Sequence, residues 1–160
     1  MVDNIKPFHA GKETACGMSY GLGPAGYDIR LGQIDVYGNG SRLISKPGIR
    51  VPLAPGDFYL AVAMEWIRLP NDCLAQCADK STNARKGIAV QNTVLEPGWE
   101  GYLTLEISNH GKTMTSIEVG MPIAQLLFFQ LDHPTDAPYE GKYQNQPNRP
   151  VRALNEGDRP

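Results

Sequence analysis

Residues 102–108 (YLTLEIS) decide the fold class, because apolar and polar side chains alternate along the whole stretch. On an extended chain the three aliphatic residues share one face, and Glu106 lies on the opposite face with the polar ones. The pattern predicts a β-strand that covers a core with its apolar side. Glu106 is then either a solvated carboxylate, as most such residues are, or a reactive group at mid-strand.

Several other segments also have strand character. Some alternate and others are apolar throughout, as buried strands are, and they comprise residues 27–31, 58–69, 72–78, 88–95 and 123–131. The 17 Gly and 13 Pro residues are spread along the chain, which indicates frequent turns between short strands. The pattern predicts one all-β domain over residues 1–160, built as a sandwich, jelly roll or barrel. Residues 1–26 are expected to be irregular.

A polar segment, residues 79–86 (DKSTNARK), is predicted to form a short helix with Ser81 as its cap. Ser81 and Arg85 are four positions apart and share a face of a helical turn. Together with Lys80 they place a hydroxyl and two cations in one segment, which suits a phosphate or an anionic intermediate. The alternative is a solvated turn.

The C-terminal region, residues 133–160, is polar and rich in Pro. Such a tail is usually disordered unless a ligand or partner orders it. Residues 142–146 (KYQNQ) combine a cation, an aromatic ring and amides, a composition that suits a lid over a ligand. The tail is therefore either a lid or an ordinary disordered terminus.

The charge balance excludes some partners. Fifteen basic and seventeen acidic residues give a formal charge of −2, so no broad basic field is available for a nucleic-acid polymer. No apolar run approaches the ~20 residues of a membrane span, and residues 1–11 have no signal-peptide core. Three cysteines without an export signal indicate reduced thiols and a cytoplasmic protein.

A zinc site is not expected. Cys73 and Cys77 would share a face of a strand, but the three histidines are scattered along the chain and a structural zinc ion needs about four ligands. The H-x-E and P-C-x-x-C motifs of zinc-dependent deaminases are absent from the sequence.

Five sequence blocks, taken together and in order, resemble the dCTP deaminase family. They are residues 19–30 (SYGLGPAGYDIR), 80–87 (KSTNARKG), 93–109 (TVLEPGWEGYLTLEISN), 123–129 (IAQLLFF) and 141–146 (GKYQNQ). The resemblance implies a dUTPase-like fold, a distorted β-barrel or jelly roll that forms homotrimers with active sites between subunits. It implies hydrolysis of dCTP to dUTP and ammonia without zinc, with Mg²⁺ bound to the triphosphate, and binding of dUTP or dTTP.

The resemblance also implies roles for particular residues. Glu106 would be the catalytic carboxylate, with Ser81 and Arg85 beside it. Substrate-binding positions would include phosphate contacts, the cytosine-binding main chain and the sugar pocket, and they comprise Lys80, Thr82, Asn92, Thr93, Val94, Glu96, Trp99, Gln125, Tyr139, Lys142, Tyr143 and Gln146.

One position departs from the family pattern in a way that could affect selectivity for the sugar of the substrate. Asn92 stands where relatives tend to carry an apolar residue. If its amide faces the sugar, it could bind a 2′-hydroxyl, and CTP would be accepted as well as dCTP.

Three other functions are open at this point. A dUTPase would use the same fold, but the Gly-rich C-terminal motif of that family is missing here. A bifunctional enzyme could convert dCTP to dUMP with largely the same residues. A nucleotide-binding regulator would keep the fold without turnover, but it would not need Glu106.

Overall fold

The computed structural model describes residues 4–160, so the first three positions of the predicted 1–160 domain lie outside the described residues. The described chain is almost entirely β. Its elements are β1 (Ile5–Lys6), β2 (Glu13–Ala15), β3 (Met18–Leu22), β4 (Tyr27–Asp35), β5 (Leu43–Ile44), β6 (Arg50–Leu53), β7 (Phe58–Arg68), β8 (Cys73–Asp79), α1 (Ser81–Ala84), β9 (Ile88–Val90), β10 (Val94–Leu95), β11 (Glu100–Asn109), β12 (Thr115–Glu118) and β13 (Pro122–Gln130).

Most of the strands belong to one eleven-stranded sheet. Its main path runs β10-β8-β13-β4-β7-β11-β9, and β12 pairs with β6 in a second, two-stranded sheet. The two ends of the long sheet approach each other, because the Val90 N–H of β9 donates a 2.7 Å hydrogen bond to Asp79 Oδ1 at the end of β8. The sheet is thus curled into a distorted barrel.

The core lies inside this curl and is made mainly of aliphatic side chains. Leu105 and Ile107 of β11 are fully buried, as are Ile29 and Leu31 of β4. The predicted alternation of residues 102–108 is therefore confirmed on the apolar side. The polar side differs from a simple solvent face, since Thr104 is also buried.

Two local predictions are wrong. Residues 4–26 are not irregular, because β2 and β3 form an antiparallel hairpin that joins β4. Ser81 does not cap α1: Lys80 occupies that position and makes no side-chain capping bond.

The β character of residues 88–95 is divided between two short strands, β9 and β10. Of the two alternatives for the tail, an ordinary disordered terminus is contradicted, because the tail packs against β11 and the turn before it through several backbone hydrogen bonds.

Within residues 4–160, no helix is long and apolar enough to cross a membrane.

Candidate active site

A cavity of about 610 Å³ opens beside the middle of β11. Its walls come from β7, from the segment between β9 and β11, from β11 itself and from the C-terminal tail. We call it the Glu106 cavity, and its lining consists of Phe58, Leu60, Gln91, Asn92, Thr93, Val94, Leu95, Glu96, Trp99, Leu103, Thr104, Glu106, Tyr139, Tyr143, Gln146, Val151 and Ala153.

Glu106 is held in a largely apolar setting. Its antiparallel partner on β7 is Leu60, and both side chains line the cavity. Burial raises the pKa of Glu106 to about 7, because a carboxylate loses solvation when it is removed from water. None of the described residues that line the cavity is a lysine or arginine, so no lining cation opposes this shift. Near neutral pH, the group can therefore both accept and return a proton.

The thiol of Cys77 lies close enough to be influenced by this carboxylate. Burial, together with the charges of Glu106 and Asp79, raises the pKa of Cys77 to about 12. The thiol is therefore neutral at physiological pH and is unsuited to act as a nucleophile. Glu106 is the group in this region that can exchange protons.

Asn92 ties the segment after β9 to the catalytic strand. Its Nδ2 donates to the Thr104 carbonyl oxygen at 2.7 Å, and its Oδ1 accepts from the Glu106 N–H at 3.4 Å. The Gln91 N–H donates to the Glu106 carbonyl oxygen at 2.8 Å. The side chain of Asn92 thus continues the β9–β11 ladder and fixes the backbone before Glu106, while the Gln91 N–H fixes the Glu106 carbonyl.

The tail forms one wall of the cavity through specific hydrogen bonds. The Trp99 indole donates to the Tyr143 carbonyl oxygen at 2.8 Å, and the Tyr139 N–H donates to the Pro97 carbonyl oxygen at 2.8 Å. Trp99 is 4% exposed, so this bond is shielded from water. The tail is bound directly to the turn that carries several predicted substrate contacts.

Ser81 and Arg85 do not line the Glu106 cavity. They lie on the exposed α1 segment, where Arg85 Nε donates to Ser81 Oγ at 3.3 Å. The structure therefore brings these two predicted catalytic residues together, as their spacing indicates, but holds them outside the cavity that contains Glu106.

A second, open cavity of about 470 Å³ lies between α1 and the β2–β3 hairpin. We call it the lysine cavity, and its lining consists of Lys12, Thr14, Gly17, Met18, Ser19, Lys80, Ser81 and Thr82. The described lining contains hydroxyls and two lysines but no carboxylate. Such a set of donors suits a phosphate group.

Two predicted phosphate contacts already have partners within the chain. Lys80 Nζ forms a 2.5 Å ion pair with Asp28 Oδ2, and both side chains are largely buried. Lys142 Nζ pairs with Glu156 at 3.0 Å. Gln125 lies opposite Asp28 in the β13–β4 register, which places it near Lys80 rather than near Glu106.

Most of the predicted site residues line one of the two cavities. The Glu106 cavity collects Glu106, Asn92, Thr93, Val94, Glu96, Trp99, Tyr139, Tyr143 and Gln146. The lysine cavity collects Lys80, Ser81 and Thr82, and Arg85, Gln125 and Lys142 line neither cavity.

Sequence reasoning missed several lining residues. Leu60 and Phe58 belong to a strand distant in sequence, and only the cross-strand register with β11 places them beside Glu106. Ser19 lies in the β2–β3 hairpin and Lys12 immediately before it, in the region for which the sequence predicts irregular structure. Thr104 was assigned to the polar face of its strand, with no indication that the tail covers it.

Within residues 4–160, no three His, Cys, Asp or Glu side chains converge where they could hold a metal ion.

Comparison with known proteins identifies the family. Residues 18–131 match the family model described as dCTP deaminase-like. A dCTP deaminase of Acidobacterium capsulatum is 38% identical over 158 residues, covering 89% of this chain and 86% of that protein. This chain belongs to the dCTP deaminase family.

Solved structures show the fold of this dCTP deaminase family member. The 2′-deoxycytidine 5′-triphosphate deaminase from Agrobacterium tumefaciens matches with a TM-score of 0.61 at 22% identity, covering 82% of this chain and 45% of that one. The dUTPase of Staphylococcus bacteriophage 80alpha matches with a TM-score of 0.54 at 16% identity, covering 85% and 94%. The predicted dUTPase-like all-β architecture is confirmed.

Proposed function

We propose that this family member hydrolyses dCTP to dUTP and ammonia without zinc. The observation that carries the proposal is a carboxylate, Glu106, in a cavity that raises its pKa to about 7. Curated relatives of similar length, such as the Acidobacterium capsulatum protein, are dCTP deaminases. The cavity volume of about 610 Å³ falls in the usual range for small-molecule sites.

Glu106 moves the protons of the reaction. It takes a proton from water as the water oxygen bonds to C4 of cytosine, and it delivers that proton to ring N3. Glu106 then takes the proton of the new C4 hydroxyl and passes it to the amine, the C4–N bond breaks, and ammonia leaves as the C4 carbonyl of dUTP forms. With a Glu pKa near 7 and a water pKa near 15.7, complete proton transfer before attack would cost about 12 kcal/mol, so transfer accompanies the attack.

The triphosphate requires positive charge that the Glu106 cavity does not supply. The described lining has Glu96 and Glu106 as its charged residues, and both would repel phosphates. The lysine cavity has the complementary donors. We therefore propose a homotrimer in which α1 of one copy completes the Glu106 cavity of another, bringing Ser81 and Arg85 to the reacting base.

In this assembly Ser81 would orient the attacking water, and Arg85 would balance the charge that develops on the cytosine. Lys80, Thr82 and Gln125 would lie on the phosphate side. The substrate would be the magnesium complex of the triphosphate, because Mg²⁺ commonly binds through substrate phosphates with few protein ligands.

The roles proposed for the remaining residues are those that the family resemblance implies. The main chain at Thr93 and Val94 would bind the cytosine edge, and Glu96 would lie near the sugar 3′-hydroxyl. Residues 133–160 would act as a lid, with Tyr139, Lys142 and Gln146 toward the phosphates. We also propose a cytoplasmic location, in keeping with the free cysteines at positions 16, 73 and 77.

The test follows two products separately. Purified protein is incubated with dCTP, CTP and dUTP in Mg²⁺, with a zinc-selective chelator in a parallel sample, and ammonia and pyrophosphate are measured. Ammonia from dCTP, unaffected by the chelator and without pyrophosphate, is the expected result. Pyrophosphate from dUTP without ammonia would reassign the chain as a dUTPase, and both products from dCTP would make it bifunctional.

Binding of nucleotide without release of either product would leave a nucleotide-binding regulator.

The same assay tests whether Asn92 determines selectivity for the sugar. If its amide recognises a ribose hydroxyl, Asn92→Val lowers kcat/KM for CTP more than for dCTP; an equal loss for both would assign Asn92 to the backbone of β11 alone.

A further inference from the structure

Thr104 makes an unusual set of contacts for a residue in mid-strand. Its hydroxyl donates to Gln146 Oε1 at 2.6 Å and accepts from the Val151 N–H at 3.1 Å, and its own N–H donates to Gln146 Oε1 at 3.2 Å. Thr104, Gln146 and Val151 are 5%, 7% and 6% exposed. We call these three residues the latch.

The backbone beside the latch is built for close approach of the tail. The Tyr102 N–H donates to the Gln146 carbonyl oxygen at 3.0 Å, and Gly101 forms a parallel bridge with Gln146. Gly101 has φ +143°, and a Cβ at this position would lie 2.6 Å from the Gln146 nitrogen. A side chain at position 101 would therefore force the tail away from β11.

The latch lies next to the reacting group. Thr104 precedes Glu106 by two positions, so both side chains project from the same face of β11, and both line the Glu106 cavity. Gln146 and Val151 form part of the opposing wall. Because Gln146 Oε1 already accepts two bonds from Thr104, this oxygen is held as a structural contact.

We propose that Thr104 is a positioning residue that fastens the tail as a wall of the Glu106 cavity and so shields the catalytic carboxylate from bulk solvent. The inference rests on the proposed function for its catalytic consequence, but the fastening itself is independent of turnover. Removing the hydroxyl leaves the buried Val151 N–H without its acceptor, which favours an open tail because the orphaned group then finds water.

The test compares three variants with the wild-type protein. Thr104→Val removes the hydroxyl with little change in volume, Thr104→Ser restores it, and Ser108→Ala is the matched control. Ser108 is similarly buried on the same face of β11, but its hydroxyl contacts His110 at 2.9 Å rather than the tail. Gly101→Ala should also separate the tail from β11, because its Cβ would clash with the backbone of Gln146.

The first readout is amide hydrogen exchange in residues 144–153. We expect exchange there to quicken at least tenfold in Thr104→Val and in Gly101→Ala, and to stay within threefold of wild type in Thr104→Ser and Ser108→Ala. Slow exchange in β7 shows that each variant is folded. Unchanged tail exchange in Thr104→Val would overturn the latch, whether or not the protein deaminates dCTP.

The second readout is the pH profile of dCTP deamination. An opened wall rehydrates Glu106, so the acid limb of kcat/KM moves to lower pH in Thr104→Val, while kcat/KM at its optimum falls at least tenfold. Thr104→Ser should restore both. A loss of activity with an unshifted acid limb would make Thr104 a merely structural residue. If neither the wild-type protein nor any variant releases ammonia, the proposed function is refuted, but the latch is not.

Discussion

The Glu106 cavity and the lysine cavity are opposites in charge and in exposure. The described lining of the first carries carboxylates without lysine or arginine, and that of the second carries lysines without a carboxylate. The first is walled by the tail, whereas the second lies open between a hairpin and a one-turn helix. Neither described lining supplies both the cations that a triphosphate requires and the carboxylate that moves protons at a base. In the proposed assembly, the two cavities would be halves of one site that meet between copies of the chain.

The largest effect on activity should come from a substitution in the Glu106 cavity. Glu106→Gln removes the base and should lower kcat for dCTP by 10²–10⁴-fold, the usual contribution of general base catalysis. Steady-state ammonia release measures it. Glu100→Gln, on the same strand but outside the cavity lining, is the control and should lose little. A Glu106→Gln enzyme that keeps more than about a tenth of wild-type kcat would remove Glu106 from the mechanism.

The next effect tests whether the halves come from different copies. Arg85→Gln should lower kcat by about 10²-fold, as loss of one stabilising charge does. When Glu106→Gln and Arg85→Gln subunits are dissociated and mixed equally, about a quarter of the wild-type rate should return, because some sites receive an intact residue from each partner.

Reassembled samples of each single variant provide the background rate for the mixing experiment. No gain over that background, with exchange of subunits verified by mass spectrometry, would mean that both residues act within one copy.

A smaller effect is expected at the lysine cavity. Lys12 is exposed and lines this cavity, so Lys12→Met should raise KM for dCTP by about threefold to tenfold, with kcat nearly unchanged. Lys46→Met, an exposed lysine outside both cavity linings, controls for net charge. A changed kcat with unchanged KM would contradict a phosphate role for this cavity.

The smallest effect concerns stability and pH. The pKa of Glu106 rises to about 7 on folding from a usual value of 4.5, so the native state binds more protons between these values and loses stability as pH rises through this window. Glu106→Gln avoids the loss and should be more stable than wild type by about 1 kcal/mol at pH 8, after allowance for partial solvation.

Urea unfolding at pH 8 and at pH 4.5 measures this difference, which should become small at the lower pH, where the native carboxyl is protonated. If Arg85 of a second copy lies beside Glu106, the arginine stabilises the carboxylate. The increase in stability that Glu106→Gln causes at pH 8 should then be larger in an Arg85→Gln background. An equal gain in both backgrounds would place Arg85 away from Glu106.

The strands were predictable from local patterns because each is defined by its own alternation or apolarity. The segment 102–108 and the apolar segments 58–69 and 123–131 all lie within strands of nearly the predicted extent. Short strands with little alternation, such as β2, were not predictable, since their stability comes from pairing with β3. The same reason explains the tail, whose polar sequence is ordered by hydrogen bonds to β11 rather than by a core of its own.

The sequence by itself determined the family, the all-β class, the strand that carries Glu106 and the shared face of Ser81 and Arg85. These properties depend on residue types at fixed local spacings. Only the tertiary structure decided which residues surround Glu106, that Asn92 and Thr104 fasten its strand and the tail, and that the cationic segment lies elsewhere. Burial and charge environment arise from elements distant along the chain, so the raised pKa of Glu106 is a property of the fold.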